Sequence, residues 1–268
     1  MGVERFNQAF AQHKAEGRKA FIPFTLLGWP DVETSVDIIK TMIDSGVSAL
    51  ELGLPFSDPL ADGPIIQSAA YETLKQGFKV TDAWRILERV RAYDDTIPIG
   101  LLVYYNMILA RPKFFEEAEN AGADGVLTVD LPPEMAEEIA EKTGTLAPIF
   151  IVSPLTDENR LARITDVAGG FLYTVSRLGI TGTEARYDDT LKALITRVKA
   201  HTQLPMCVGF GISTPDQAQQ MLQQGADGVI TGSRVIQLLQ GTAGAAPSTV
   251  LTPFLQQMMA VCARSIAV

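Results

Sequence analysis

Two carboxylates offer the clearest chemistry in this sequence. In Ala49-Leu50-Glu51-Leu52-Gly53, a short run of strand character, alternation puts Leu50 and Leu52 on one face. Glu51 then shares the other face with two small residues. If the leucines pack outward against helices, Glu51 faces a buried interior. Its charged form loses hydration there, and its pKa rises towards the range a general acid/base needs. The structural alternative is a buried ion pair, but no inward strand position supplies a Lys or Arg. Further on, Asp62 lies in Pro55-Phe-Ser-Asp-Pro-Leu-Ala-Asp-Gly-Pro64, where prolines and a glycine define a loop rather than a continuing helix. A strand Glu and a loop Asp can reach one substrate from two directions and move protons at two points. Asp58, next to Pro59, reads instead as a turn cap.

A second pattern concerns anions. Gly209-Phe210-Gly211 and Thr231-Gly232-Ser233 each close an apolar run and open a helical one. Glycine lets backbone N–H groups approach a ligand, and helix N-termini favour negative charge. Either loop alone marks a turn; together they predict a phosphate site. The stretch from Ser176 to Asp189 is long and rich in Gly and Thr, as a lid would be. Phe24, Leu102, Tyr104, Leu127 and Tyr173 stand at other strand ends, so the expected substrate has a flat apolar part and a phosphorylated tail. No H-E-x-x-H, Walker A, G-x-S-x-G or Cys/His metal spacing occurs. The chemistry is therefore expected to run on carboxylates, with no metal and no cofactor held by this chain. His13 and His201 read as surface or capping residues, and Cys207 and Cys262 as small buried hydrophobes.

These groups need a scaffold. Eight short segments rich in Val, Ile and Leu read as strands: Ala20–Thr25, Ala49–Gly53, Ile97–Val103, Gly125–Val129, Pro148–Val152, Phe171–Thr174, Met206–Gly209 and Gly228–Thr231. Between them, Asp31–Ser45, Thr81–Ala92, Pro112–Ala121, Pro133–Thr143, Glu158–Asp166, Asp188–Ala200 and Thr214–Gln224 have helical period. Gly122-Ala-Asp-Gly-Val126 recurs as Gly225-Ala-Asp-Gly-Val229, with a looser copy at Gly46. At each, a glycine ends a helix and opens a strand. Strict alternation with such junctions predicts a parallel sheet. An open doubly wound sheet would carry a Gly-rich dinucleotide turn after its first strand, and Leu26-Leu27-Gly28-Trp29-Pro30 is not one. The prediction is an α/β fold, a (β/α)8 TIM barrel spanning 1–268 as one domain. Its extra N-terminal helix, Val3–Lys14, closes the barrel bottom. A short helix at Ser233–Leu239, a mobile Gly/Ala/Pro/Ser connection at Gly241–Ser248 and a C-terminal helix at Val250–Arg264 complete it.

Composition narrows the partners. With 22 Lys and Arg against 31 Asp and Glu, the net charge of −9 argues against nucleic acid and anionic membrane. The longest basic run, Arg18-Lys19, is too short to change that. No apolar run approaches a membrane span, and Met1 to Lys19 has no signal-peptide core, so the expected compartment is cytoplasmic.

At this point a family resemblance becomes visible. Phe21-Ile-Pro-Phe24, the run from Glu51 to Pro64, Ser176-Arg-Leu-Gly-Ile-Thr-Gly182, Gly209-Phe-Gly-Ile-Ser213 and Thr231-Gly-Ser233 together resemble the tryptophan synthase alpha chain family, in order and spacing, over about residues 3 to 265. The E-L-G-x-P-F-S-D-P-x-A-D-G-P run is the specific part. The resemblance implies a lyase of tryptophan biosynthesis that cleaves indole-3-glycerol phosphate to indole and glyceraldehyde 3-phosphate by a retro-aldol step. It implies Glu51 as the acid/base and Asp62 as the group holding the indole N–H. Phosphate contacts would fall on Gly182, Gly211, Gly232 and Ser233. The indole pocket would fall on Phe24, Leu102, Leu127, Tyr173 and Phe210, with Thr181 positioning Asp62 under the closed lid. The implied partner is a beta chain carrying pyridoxal phosphate, in an alpha2-beta2 heterotetramer. It would be contacted through 55–62, the regions around 104–112 and 131–133, and the 176–189 lid. A stand-alone lyase, a mainly regulatory subunit and another phosphosugar barrel are the competing readings.

Overall fold

Short apolar strands can bury both faces only if helices cover one face and a closed interior takes the other. The computed structural model, which describes residues 2–175, 184–242 and 244–263, has this arrangement. Strands β1 (Ala20–Leu26), β2 (Leu50–Gly53), β3 (Ile99–Val103), β4 (Gly125–Thr128), β5 (Ala147–Val152), β6 (Leu172–Val175), β7 (Met206–Gly209) and β8 (Gly228–Thr231) form a closed parallel barrel in chain order. β8 pairs with β1 from Ala20↔Gly228 to Pro23↔Thr231, which closes it. All eight expected strands are present, with ends shifted by two residues or fewer.

The helices are α1 (Gly2–Ala15), α2 (Val32–Asp44), α3 (Pro64–Lys75), α4 (Val80–Tyr93), α5 (Tyr105–Leu109), α6 (Phe114–Ala121), α7 (Ala136–Lys142), α8 (Glu158–Val167), α9 (Glu184–Lys199), α10 (Pro215–Gln223), α11 (Ser233–Gln240) and α12 (Pro247–Cys262). Two of them, α3 and α5, have no counterpart in the sequence reading. The prolines before position 64 mark a loop, but Pro64 itself stands at the first turn of α3, where its missing N–H costs nothing. The expected helix over 133–143 is divided: a 3-10 turn at Pro133–Met135 precedes α7. α9 begins at Glu184, ahead of the expected Asp188, and α12 begins at Pro247 rather than Val250.

Start signals work locally. Asp31 caps α2 by accepting the Thr34 N–H at 2.9 Å, and Thr214 with Gln217 makes a capping box on α10. At α4 the cap differs from the Thr81-Asp82 signal: Asp82 reaches back to the Lys79 N–H at 2.9 Å.

α1 covers the barrel's lower end, as expected. The Phe6 ring is fully buried there, and a Cβ built on Gly125 would stand 3.1 Å from it. The repeated Gly-Ala-Asp-Gly junctions serve the same end. Gly122 and Gly225 adopt φ of +104° and +102°, which glycine tolerates best. The Asp of each repeat ties down a neighbouring strand start, Asp124 accepting the Ile99 N–H at 2.9 Å and Asp227 the Met206 N–H at 3.1 Å.

Candidate active site

The opposite end of the barrel opens into a cleft of about 160 Å3, which Phe24, Glu51, Asp62, Leu102, Tyr173 and Phe210 line together with the glycine loops. Inward glycines make room for the rings. A Cβ on Gly53 would come within 2.7 Å of the Phe24 ring, and one on Gly209 within 2.0 Å of the Tyr173 hydroxyl.

Glu51 points into this interior from β2, in register with Phe24 on β1 and Gly100 on β3. It is 4% exposed, and no Lys or Arg is among the cleft's described lining residues. Burial, and secondarily the nearby Asp62 charge, push its pKa up to about 8. The carboxyl is therefore mostly protonated at neutral pH, as a proton donor to a weakly basic carbon must be.

Asp62 comes from the β2–α3 loop. Its backbone N–H donates to the Pro59 carbonyl at 3.0 Å, and its carbonyl accepts the Gln67 side-chain amide at 2.8 Å. Tyr104, at the end of β3, donates its hydroxyl to Asp62 Oδ2 at 2.8 Å and accepts the Ala61 N–H at 3.1 Å. The Tyr104 ring stacks on Phe56 with centroids 5.0 Å apart. Burial raises the Asp62 pKa while the Tyr104 hydrogen bond opposes that rise. Tyr104 was legible as a lining candidate, but its grip on Asp62 depends on how the loop folds over β3. Asp58 stays exposed, and its carboxylate accepts the Ser57 hydroxyl at 2.6 Å, outside the cleft.

Tyr173 on β6 is buried beside Glu51, and its hydroxyl accepts the Phe210 N–H. Burial first, and then the Glu51 charge, raise its pKa well above the usual value, so it stays a neutral phenol. Phe210 is the one described non-glycine residue with positive φ, at 61°, and its ring meets Tyr173 edge-on at 5.7 Å. Such backbone strain collects at functional sites.

The anion loops lie on the same rim. Gly211, with φ of +85°, and Gly232 and Ser233 at the start of α11 all line the cleft. Gly232 provides no side-chain cap, so although the Val235 N–H donates to the Gly232 carbonyl at 2.9 Å, the N–H groups of Ser233 and Arg234 are left for an anion.

Of the remaining expected residues, Leu127 is buried on β4 opposite Leu102 and is not among those lining the cleft. Gly182, Thr181 and the 176–183 part of the expected lid lie outside the described residues. The structure adds Ile66 from α3 and Ile212 and Ile230 from the last loops and strand. Ile66 could have been found from the apolar spacing of Ile65, Ile66, Ala69 and Ala70 behind Gly63-Pro64. Among the described residues, no group of three His, Cys, Asp or Glu is placed to hold a metal ion. His13 and His201 stand away from the cleft, His201 beside Glu158 at 2.9 Å.

Known proteins resemble this chain in sequence and in fold. A family model described as tryptophan synthase alpha chain matches residues 10–261. The tryptophan synthase alpha chain of Methanothermobacter thermautotrophicus is 44% identical over 247 residues, covering 91% of each chain. That of Shewanella baltica is 41% identical over 240 residues, covering 88% of each. Among solved structures, tryptophan synthase subunit alpha from Legionella pneumophila str. Paris superposes with a TM-score of 0.88 at 33% identity, over 96% of this chain and 98% of that one. Mycobacterium tuberculosis tryptophan synthase gives 0.86 at 30% identity, over 97% and 98%. With a model match over most of its length and relatives above 40% identity, this chain belongs to the tryptophan synthase alpha chain family.

Proposed function

We propose that this chain cleaves indole-3-glycerol phosphate to indole and glyceraldehyde 3-phosphate, with Glu51 and Asp62 as its catalytic pair. The observation that carries the assignment is the buried Glu51 carboxyl, its pKa pushed up to about 8, sharing a cleft with a second carboxylate and two anion-binding loops. In this reading the phosphate rests on the N–H groups around Gly211, Gly232 and Ser233. The indole ring lies among Phe24, Leu102, Tyr173 and Phe210. Protonated Glu51 gives its proton to indole C3, which makes the ring cationic. The Asp62 carboxylate accepts the ring N–H and offsets that charge, held in place by Tyr104. The side-chain bond at C3 then breaks, its electron pair returning to the ring. Glu51, now a carboxylate, takes the proton of the glycerol hydroxyl next to the breaking bond. Aldehyde and indole leave, and Glu51 is protonated again, so the cycle needs no external proton.

A beta chain is the partner this family membership favours, and pyridoxal phosphate chemistry belongs to that chain. Leu60 and Leu109, 92% and 59% exposed, stand in the segments following β2 and β3, and such apolar exposure on the rim suits a docking face. The alpha2-beta2 stoichiometry is part of the proposal. Among the described residues no helix is long and apolar enough to cross a membrane.

The test is indole formation at neutral pH with the chain alone and with a beta chain. Glu51→Gln and Asp62→Asn should each lower it by about 10²-fold or more. Indole release near the wild-type rate in Glu51→Gln would overturn the assignment. Activity only with the beta chain would favour a regulated subunit over a stand-alone lyase.

A further inference from the structure

The barrel's lower end, opposite Glu51, carries a second cavity of about 310 Å3. Four cations line it: Lys14 from α1, Arg18 and Lys19 from the α1–β1 turn, and Lys199 from the end of α9. In sequence only Arg18-Lys19 is visible as a pair; the fold brings the other two beside it. Asp227 is shared, 3.3 Å from each of the Lys19 and Lys199 ammonium groups, and Arg18 pairs with Glu16. Lys14 forms no ion pair among the described residues. Four cations against the carboxylates of Asp227 and Glu16 leave two positive charges uncompensated, in a chain of net charge −9. The sister junction behaves differently: at Asp124, Arg5 and Arg91 close on the carboxylate at 2.6 and 2.7 Å, and its side chain is fully buried.

Two further features point to a ligand. His13 lines this cavity, and both its ring nitrogens are shielded from solvent with no hydrogen-bond partner among the described residues. A neutral imidazole has one N–H to donate, and leaving it unmatched is costly. Beside the cations, Phe10, Leu204 and Pro205 supply an apolar surface. An inorganic ion would leave that surface unused. We infer that this cavity is a second anion site, built for a phosphomonoester with an apolar body. The phosphate sits among Lys14, Arg18 and Lys199 and accepts from His13, while the body lies on Phe10 and Leu204. Arg and Lys donors suit a phosphate dianion, and the apolar surface selects the ester over free phosphate. Because the site lies at the far end of the barrel, its ligand does not compete with the substrate.

The chain has two histidines, so His201→Gln leaves one imidazole signal for NMR of the full chain. The probe is phenyl phosphate, titrated at constant ionic strength set with sodium chloride, with inorganic phosphate and succinate as comparison arms. The His13 ring signal should move saturably at about millimolar probe or below. Its midpoint should stay within about 2-fold when Ser233→Asp blocks the other anion loop, and weaken by about 10-fold in Lys14→Glu. Lys14→Glu should leave indole formation unchanged. No saturable movement, a midpoint lost in Ser233→Asp, one indifferent to Lys14→Glu, or tighter binding of succinate or inorganic phosphate than of phenyl phosphate would each overturn the proposal.

Discussion

Burial, more than the neighbouring Asp62 charge, keeps Glu51 protonated, and this has a consequence for stability as well as for rate. The unfolded chain ionises this group above about pH 4.5, whereas the folded chain keeps its proton until about pH 8. Stability must therefore fall as pH rises through that window, by on the order of 3 kcal/mol at pH 7. Glu51→Gln has no such proton to lose. Thermal melts should show it more stable than the wild type, with a gain that grows from pH 5 to pH 8; an equal gain at both ends would contradict the burial account. Tyr104→Phe removes the donor to Asp62 but keeps the ring on Phe56. A hydrogen bond to a charged group is worth about 1.5–3 kcal/mol, so kcat/KM should fall by about 10- to 100-fold and the melting temperature by a few degrees. The acid itself was legible because strand alternation and two flanking small residues leave Glu51 one direction to point. Tyr104's role was not, because it depends on a loop from one strand folding over the end of the next.

Short elements and their glycines set the shape of the cleft. A Cβ on Gly209 would stand 2.0 Å from the Tyr173 hydroxyl, so Gly209→Ala must move Tyr173 or the β7 backbone. Calorimetry should show destabilisation of about 1–3 kcal/mol, with a larger loss in indole release than Tyr173→Phe produces. At α11, Ser233→Asp places a negative charge at the helix start lining the cleft. It should raise KM for the phosphorylated substrate by about 10-fold or more, with a smaller change in kcat, and competitive inhibition by inorganic phosphate should weaken in parallel. The strand set was readable because each segment is short, apolar and bounded by Gly, Pro or Asp. α3 and α5 escaped for a physical reason: Pro64 resembles the loop prolines before it although it starts a helix, and α5 is one five-residue turn formed where β3 ends. Ile66 was lost with α3.

At the scale of the molecule, the barrel separates two tasks along its axis. Its lower end is closed by α1, with Phe6 over the inward glycines and Asp124 holding Arg5 and Arg91. Its upper end gathers two carboxylates and the glycine loops around one cleft. In the proposed reading the net charge of −9 does not prevent phosphate binding there, because neutral N–H groups and a helix start would supply the attraction instead of lysines. The lysines that the fold does gather lie at the other end. Everything at the upper end converges on one claim: a single buried carboxylic acid, protonated at neutral pH, delivers the proton that splits the carbon–carbon bond. The most direct test is kcat/KM for indole release as a function of pH, with a saturating beta chain. The account predicts a fall of about 10-fold per pH unit above an apparent pKa near 8, where Glu51 loses its proton. A profile that stays flat from pH 6 to well above 8, or one that breaks near the ordinary carboxylate value of 4.5, would contradict it.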